Sequence, residues 1–251
     1  MASNLELVRA RGSMRERLIV ALDIDSLDQA RRLVRLLAGE VGMFKIGKQL
    51  FTHAGPQAVR LTQEQGGEIF LDLKFHDIPN TVAKAAIEAT RLGVKMFNVH
   101  ASGSLEMMRV TVKEVERVCR QEKRRKPIML AVTVLTSLNQ DDLKRVGVDG
   151  KVADQVVRLA LLTREAGMDG VVASPHEVAD IRAACGRHFV IVTPGIRPGP
   201  SQLNDQQRVM TPQEAVRAGV DYIVVGRPIL ESKDPVAAAR GIVSEMEHAG
   251  K

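Results

Sequence analysis

Between Leu18 and Arg227 a short apolar run followed by a longer stretch of helical spacing recurs eight times. The apolar runs are 18–24 (LIVALDI), 43–47 (MFKIG), 68–75 (EIFLDLKF), 95–100 (KMFNVH), 127–135 (PIMLAVTVL), 170–174 (GVVAS), 189–194 (FVIVTP) and 222–227 (YIVVGR). Such alternation predicts strands of a parallel sheet, each followed by a covering helix. Helix starts are marked by Ser26, by Asp77-Ile78-Pro79, by Ser102 ahead of a segment over 104–122, and by Thr211-Pro212. Gly66-Gly67, Gly93, Gly167 and Gly219 stand just before the next strand, where a helix ends in a left-handed turn. Eight units in 251 residues match a single-domain (β/α)8 TIM barrel, with none left over for a second domain. An open doubly wound sheet is the alternative. The barrel is expected over 17–251, with residues 1–16 as an extension outside the core.

Composition narrows the function classes. The 45% hydrophobic content supports a sizeable core, and no apolar run approaches the ~20 residues of a membrane span. The first residues carry Arg9 and Arg11 and no continuous apolar run, so they do not read as a secretory signal. A formal charge of +6 permits an anionic ligand, but aromatics are 3% with no Trp, which leaves few stacking platforms for single-stranded nucleic acid. The basic run Lys123-Arg124-Arg125-Lys126 reads as a solvated helix end. Two cysteines, Cys119 and Cys185, supply no disulfide framework and no metal or redox spacing, and a reducing cytoplasm is expected.

Barrels of this kind place chemistry at the C-terminal ends of their strands. Here those ends are charged. Asp23 and Asp25 close the first run, Lys45 and Lys48 lie in and after the second, and the third runs Asp72-Leu73-Lys74-Phe75-His76-Asp77. A strand period of two sends Asp72 and Lys74 inward and Leu71, Leu73 and Phe75 to the helix side. A structural salt-bridge belt is the bland reading. Against it, each desolvated charge costs several kcal/mol, and an apolar layer would serve stability as well. Coupled charges in a cleft are a functional signal.

The stretch FLDLKFHDIPNTV (70–82) resembles the signature of the orotidine 5'-phosphate decarboxylases, which complete UMP synthesis. Further anchors follow in the family's order: ALD (21–23), KIGK (45–48), NVHAS (98–102), AVTVLTS (131–137), VTPGIRP (192–198), DQQR (205–208) and VGRPI (225–229). The resemblance implies a cofactor-independent, metal-free homodimer that converts orotidine 5'-monophosphate to UMP and CO2 in pyrimidine biosynthesis. It implies that Asp23 and Lys45 hold the ribose hydroxyls, with Lys45 also in the charged network. Lys74 would be the proton donor, and Asp72 the carboxylate that faces the substrate's own. Asp77, Ile78 and Thr81 would reach into the partner subunit's site. Thr136 would lie near the pyrimidine amide, while Arg197, Gln206, Gly226 and Arg227 would contact phosphate and base. The sequence departs from the family pattern in its N-terminal extension and in the 199–204 loop.

The residue types suit that chemistry. Loss of CO2 from C6 of a pyrimidine leaves an electron pair in the ring plane, where the π-system cannot accept it, so a nearby cation able to deliver a proton has to serve instead. Acids flanking Lys74 favour its ammonium form, whereas a Schiff-base lysine needs an apolar or cationic setting. The segment 197–210 reads as a lid over a phosphate site. Three rivals stay open. A metal-dependent sugar-phosphate enzyme of the same superfamily shares the Asp-x-Lys-x-x-Asp spacing, with an acid expected where Lys45 stands. A nucleotide-binding protein without chemistry is expected to have lost Lys74 or Asp72. A nucleic-acid module rests on charge alone.

Overall fold

Each apolar run becomes a strand of one closed parallel sheet. In the computed structural model, which describes residues 13–199 and 210–250, the strands follow chain order around the ring. They are β1 (Leu18–Ala21), β2 (Met43–Gly47), β3 (Ile69–Phe75), β4 (Met96–His100), β5 (Ile128–Val132), β6 (Gly170–Val172), β7 (Val190–Thr193) and β8 (Tyr222–Val225), with β8 pairing back onto β1. The closed order disposes of the open sheet. Most strands stop short of their apolar run, so Asp23, Thr136, Arg197 and Gly226 fall on the loops at the C-terminal rim and Arg227 opens a short helix there.

Alternation assigns the two faces. Ile19, Ala21, Met43, Phe70, Met96, Leu130, Val192 and Val224 fill the barrel interior, while Leu18, Val20, Phe44, Leu71, Phe97 and Ile191 pack outward beneath the helices. Those helices are α1 (Leu27–Leu37), α2 (Lys48–Ala54), α3 (Pro56–Glu64), α4 (Pro79–Arg91), α5 (Leu105–Gln121), α6 (Gln140–Arg145), α7 (Val152–Glu165), α8 (Val178–Cys185), α9 (Pro212–Ala218), α10 (Arg227–Leu230) and α11 (Pro235–Glu247). Among the described residues, no helix is long and apolar enough to cross a membrane.

Local signals place most of the helix ends. Ser26 caps α1 by accepting the Gln29 N–H at 3.2 Å, and Thr211 with Glu214 forms a capping box on α9. The start expected at Ser102 is displaced. Residues Ala101–Gly103 form a 3-10 turn, and the cap of α5 is Ser104, whose hydroxyl takes the Met107 N–H. Of the pair ahead of β3, Gly66 holds the left-handed φ of 81°, while a Cβ on Gly67 would stand 2.8 Å from the side chains of Phe44 and Thr62.

At the N-terminal end of the barrel two carboxylates complete the strand ladder. Asp169 accepts the Met129 N–H and Asp221 the Ile191 N–H, each at 2.8 Å, and Arg182 pairs with Asp221. Residues Met14–Arg17 form a 3-10 turn here, with Met14 against the core and Arg17 donating to the Asp221 carbonyl at 2.9 Å. The remainder of the expected extension lies outside the described residues.

Candidate active site

Strand register sets the site. Lys45 pairs alongside Ala21 of β1 and Phe70 of β3, and Gly47 alongside Asp72, so Lys45 sits between the acids that follow β1 and belong to β3. Its Nζ lies 3.0 Å from Asp23 Oδ1 and 3.5 Å from Asp72 Oδ2. Lys74 Nζ lies 2.6 Å from Asp72 Oδ1. The four groups form one chain of alternating sign, Asp23–Lys45–Asp72–Lys74, with Asp23 exposed and the Lys45–Asp72 pair at its centre the most buried. Burial pushes the Asp72 carboxyl up, but the charges of Lys45 and Lys74 and the hydrogen bonds from Lys74 and Asn98 outweigh it, and the group ends below its ordinary value.

β3 reaches this arrangement by breaking its own regularity. Leu71 pairs with Phe97, yet Phe75 pairs with Val99, so four steps of β3 span two of β4. Lys74 sits inside that irregularity with φ of 53°, in the left-handed region. Leu73 and Phe75 still pack on the helix side, as expected.

The charges open into a cavity of about 550 Å³ at the C-terminal rim, bordered by Phe70, Val132, Thr136, Ser137, Val172 and the loops after β7 and β8. Asp23, Lys45, Asp72, Lys74, Thr136, Arg197, Gly226 and Arg227 all line it. Arg197 is buried, and its N–H donates to the Met210 carbonyl at 3.0 Å while Met210 N–H donates to Gly195 at 3.4 Å. These bonds hold Met210 beside Gly195 and Arg197. Gln206 and most of the expected lid lie outside the described residues.

Asp77, Ile78 and Thr81 do not line this cavity. They stand exposed at the start of α4, with Ile78 66% exposed and Asp77 Oδ1 accepting the Ile78 N–H at 2.6 Å. Of the acids expected to flank Lys74, Asp72 is therefore the one that pairs with it within the chain. The rings of His76 and His100 meet at a tilt of 46° with centroids 5.5 Å apart, and burial, followed by the nearby His76, Lys74 and Lys48 charges, lowers His100 to about 4.

One residue of the site had no role assigned from sequence. Asn98, fully buried in β4, donates to Asp72 Oδ1 at 2.7 Å and accepts the Lys74 N–H at 2.8 Å. Its signal was an amide between Phe97 and Val99, at a position where strand alternation points the side chain into the barrel.

The chain is similar to known proteins along most of its length. The family model for the orotidine 5'-phosphate decarboxylase / HUMPS family matches residues 16–242. The orotidine 5'-phosphate decarboxylase of Syntrophotalea carbinolica is 58% identical over 235 residues, covering 94% of this chain and 96% of the relative. That of Moorella thermoacetica is 53% identical over 243 residues, covering 96% of each. The crystal structure of orotidine 5'-phosphate decarboxylase from Lactobacillus acidophilus superposes with a TM-score of 0.80 at 38% identity, over 91% of this chain and 98% of that one. On the match to the family model and on these relatives, the chain belongs to the orotidine 5'-phosphate decarboxylase / HUMPS family.

Proposed function

We propose that this chain decarboxylates orotidine 5'-monophosphate to UMP and CO2 in pyrimidine biosynthesis, without a cofactor, and that Lys74 delivers the proton to C6. The observation that carries the proposal is the chain of alternating charge ending in Lys74 inside a cavity that two arginines also line. Full-length relatives at more than half identity support the substrate.

In this reading the C6–CO2 bond breaks, its electron pair stays on C6, and a proton from Lys74 Nζ forms the new C6–H bond. An ammonium already fixed by Asp72 requires little reorganisation as negative charge develops beside it. Asp72 also confronts the substrate carboxylate with a like charge. Lys45 holds Asp72 ionised and, with Asp23, meets the ribose hydroxyls. Arg197 and Arg227 grip the phosphate, a contact suited to the guanidinium fork, with Gln206 and Gly226 completing that side. Thr136 reads the pyrimidine edge. Phosphate binding far from C6 contributes to closure of the site, so binding energy is spent on the chemical step.

The rival within the family is metal-assisted sugar-phosphate chemistry, which calls for an acid where this chain has Lys45. An ammonium bridging Asp23 and Asp72 at 3.0 and 3.5 Å opposes a cation at that point. The test is the ultraviolet change of orotidine 5'-monophosphate on incubation with the protein plus a chelator. Turnover undiminished by chelation is expected; no turnover, or turnover restored only by a divalent metal, overturns the reading.

The same reading places the protein as a homodimer in the cytoplasm, with Asp77, Ile78 and Thr81 completing the partner's site. Their exposure at the start of α4, directly after the strand that carries Asp72 and Lys74, is what supports this.

A further inference from the structure

Behind the charge chain stands one fully buried amide with both ends in use. Asn98 Nδ2–H donates to Asp72 Oδ1 at 2.7 Å, and Asn98 Oδ1 accepts the backbone N–H of Lys74 at 2.8 Å. The partners fix the amide's orientation, because turning it over would set oxygen against carboxylate and N–H against N–H. The Lys74 backbone it grips has φ of 53°, a conformation that lysine adopts rarely, within the stretch where β3 slips against β4. Asp72 Oδ1, held from one side by Asn98, is the same atom that receives Lys74 Nζ at 2.6 Å. A single side chain therefore fixes both the carboxylate that anchors the ammonium and the irregular backbone from which that ammonium projects.

We propose that Asn98 is a positioning residue for the reaction, clamping Asp72 and the Lys74 backbone so that the Lys74 ammonium is aimed before substrate binds. The proposal rests on the decarboxylase reading above. It requires an uncharged group at 98 that donates toward Asp72 and accepts from Lys74 at once. Leucine, close in size, does neither. Aspartate accepts from Lys74 but, when ionised, repels Asp72; when protonated, its carboxyl group has the shape and the donor–acceptor pair of the amide.

The experiment measures kcat and KM for orotidine 5'-monophosphate across pH for wild type, Asn98→Leu and Asn98→Asp, with thermal unfolding and calorimetric UMP binding as controls. Asn98→Leu is expected to lose about 100-fold in kcat, the scale of a 1 Å misplacement, with UMP binding retained. Asn98→Asp is expected to fall by as much at alkaline pH and to recover relative to wild type on acidification, by up to about tenfold per pH unit, as its buried carboxyl takes up a proton. A merely structural residue would change melting temperature and not this ratio. Should the leucine variant fail to fold, the pH dependence of the aspartate variant decides. A kcat ratio for Asn98→Asp that stays flat with pH, or wild-type kcat in folded Asn98→Leu, overturns the proposal. If wild type itself does not turn over the nucleotide, the functional reading fails and takes this proposal with it.

Discussion

Asp72 is buried beside two ammonium groups, and the contest between those surroundings governs how the site answers to pH. Burial alone would raise its pKa, while Lys45 and Lys74 bring it below the ordinary value. A carboxyl with a depressed folded-state pKa stabilises the fold above its unfolded value, about 3.9, and that contribution is lost as pH falls through the folded value. Lys45→Met removes the larger of the two charge effects and leaves burial in place, so Asp72 rises and its contribution is lost at higher pH. Acid unfolding followed by circular dichroism is expected to begin at higher pH in Lys45→Met than in wild type; coincident acid transitions would contradict this balance. Lys74→Ala removes the proposed proton donor. It is expected to lower kcat by at least about 10²–10⁴-fold, the usual contribution of a general acid, while UMP binding measured by calorimetry persists. Loss of binding in step with kcat would make Lys74 a ligand contact alone. At this scale the sequence was informative wherever charge stood at a strand end. Asp23, Lys45, Asp72 and Lys74 could be picked out for that reason, whereas Asn98, neutral and mid-strand, carried only the weaker mark of an amide on an inward position.

Elements were legible to the extent that one physical rule governs them. Apolar runs located all eight strands because a parallel sheet buried on both faces leaves little room for other residues. The starts of α1, α4 and α9 followed from Ser26, Pro79 and Thr211-Pro212, since capping and proline chemistry act over three or four residues. Two features did not follow, and both need backbone conformations that the residue types disfavour. The slip of β3 against β4 puts a lysine, not a glycine, at positive φ. The cap of α5 is a serine at φ 105°, ψ 160°, a region occupied almost only by glycine. Strain of about 1–3 kcal/mol is expected at Ser104, offset by the cap to Met107, whose replacement with glycine costs only a few tenths of a kcal/mol. The extra chain entropy of glycine in the unfolded state subtracts about 0.4–1 kcal/mol. Ser104→Gly is therefore expected to stabilise by about 1 kcal/mol, a melting temperature rise of about 2–4 °C for a domain of this size. A fall in melting temperature would mean that the cap outweighs the strain.

At the scale of the whole molecule, the barrel divides its tasks between its two ends. Asp169 and Asp221 close the N-terminal end by accepting strand N–H groups, with Arg182 paired to Asp221 and Arg17 donating to the Asp221 carbonyl, and the charge chain and cavity occupy the C-terminal rim. This division was legible from the fold alone, because strands that all run one way put every loop following a strand on the same rim. Assembly was not legible from periodicity or charge. Asp77, Ile78 and Thr81 follow closely on β3 yet do not line the cavity that Asp72 and Lys74 enter. If a partner subunit receives them, each site draws Lys74 from one chain and Asp77 from the other. Lys74→Ala and Asp77→Ala homodimers would then have both sites damaged. A heterodimer of the two would hold one site with both lesions and one with neither. Random exchange of equal amounts makes half the dimers mixed, each with one of two sites whole, so activity is expected to return to about one quarter of wild type. Recovery should track the heterodimer fraction, measured by native mass spectrometry. Verified heterodimers no more active than the mean of their parents would show that Asp77 acts within its own chain, or not at all.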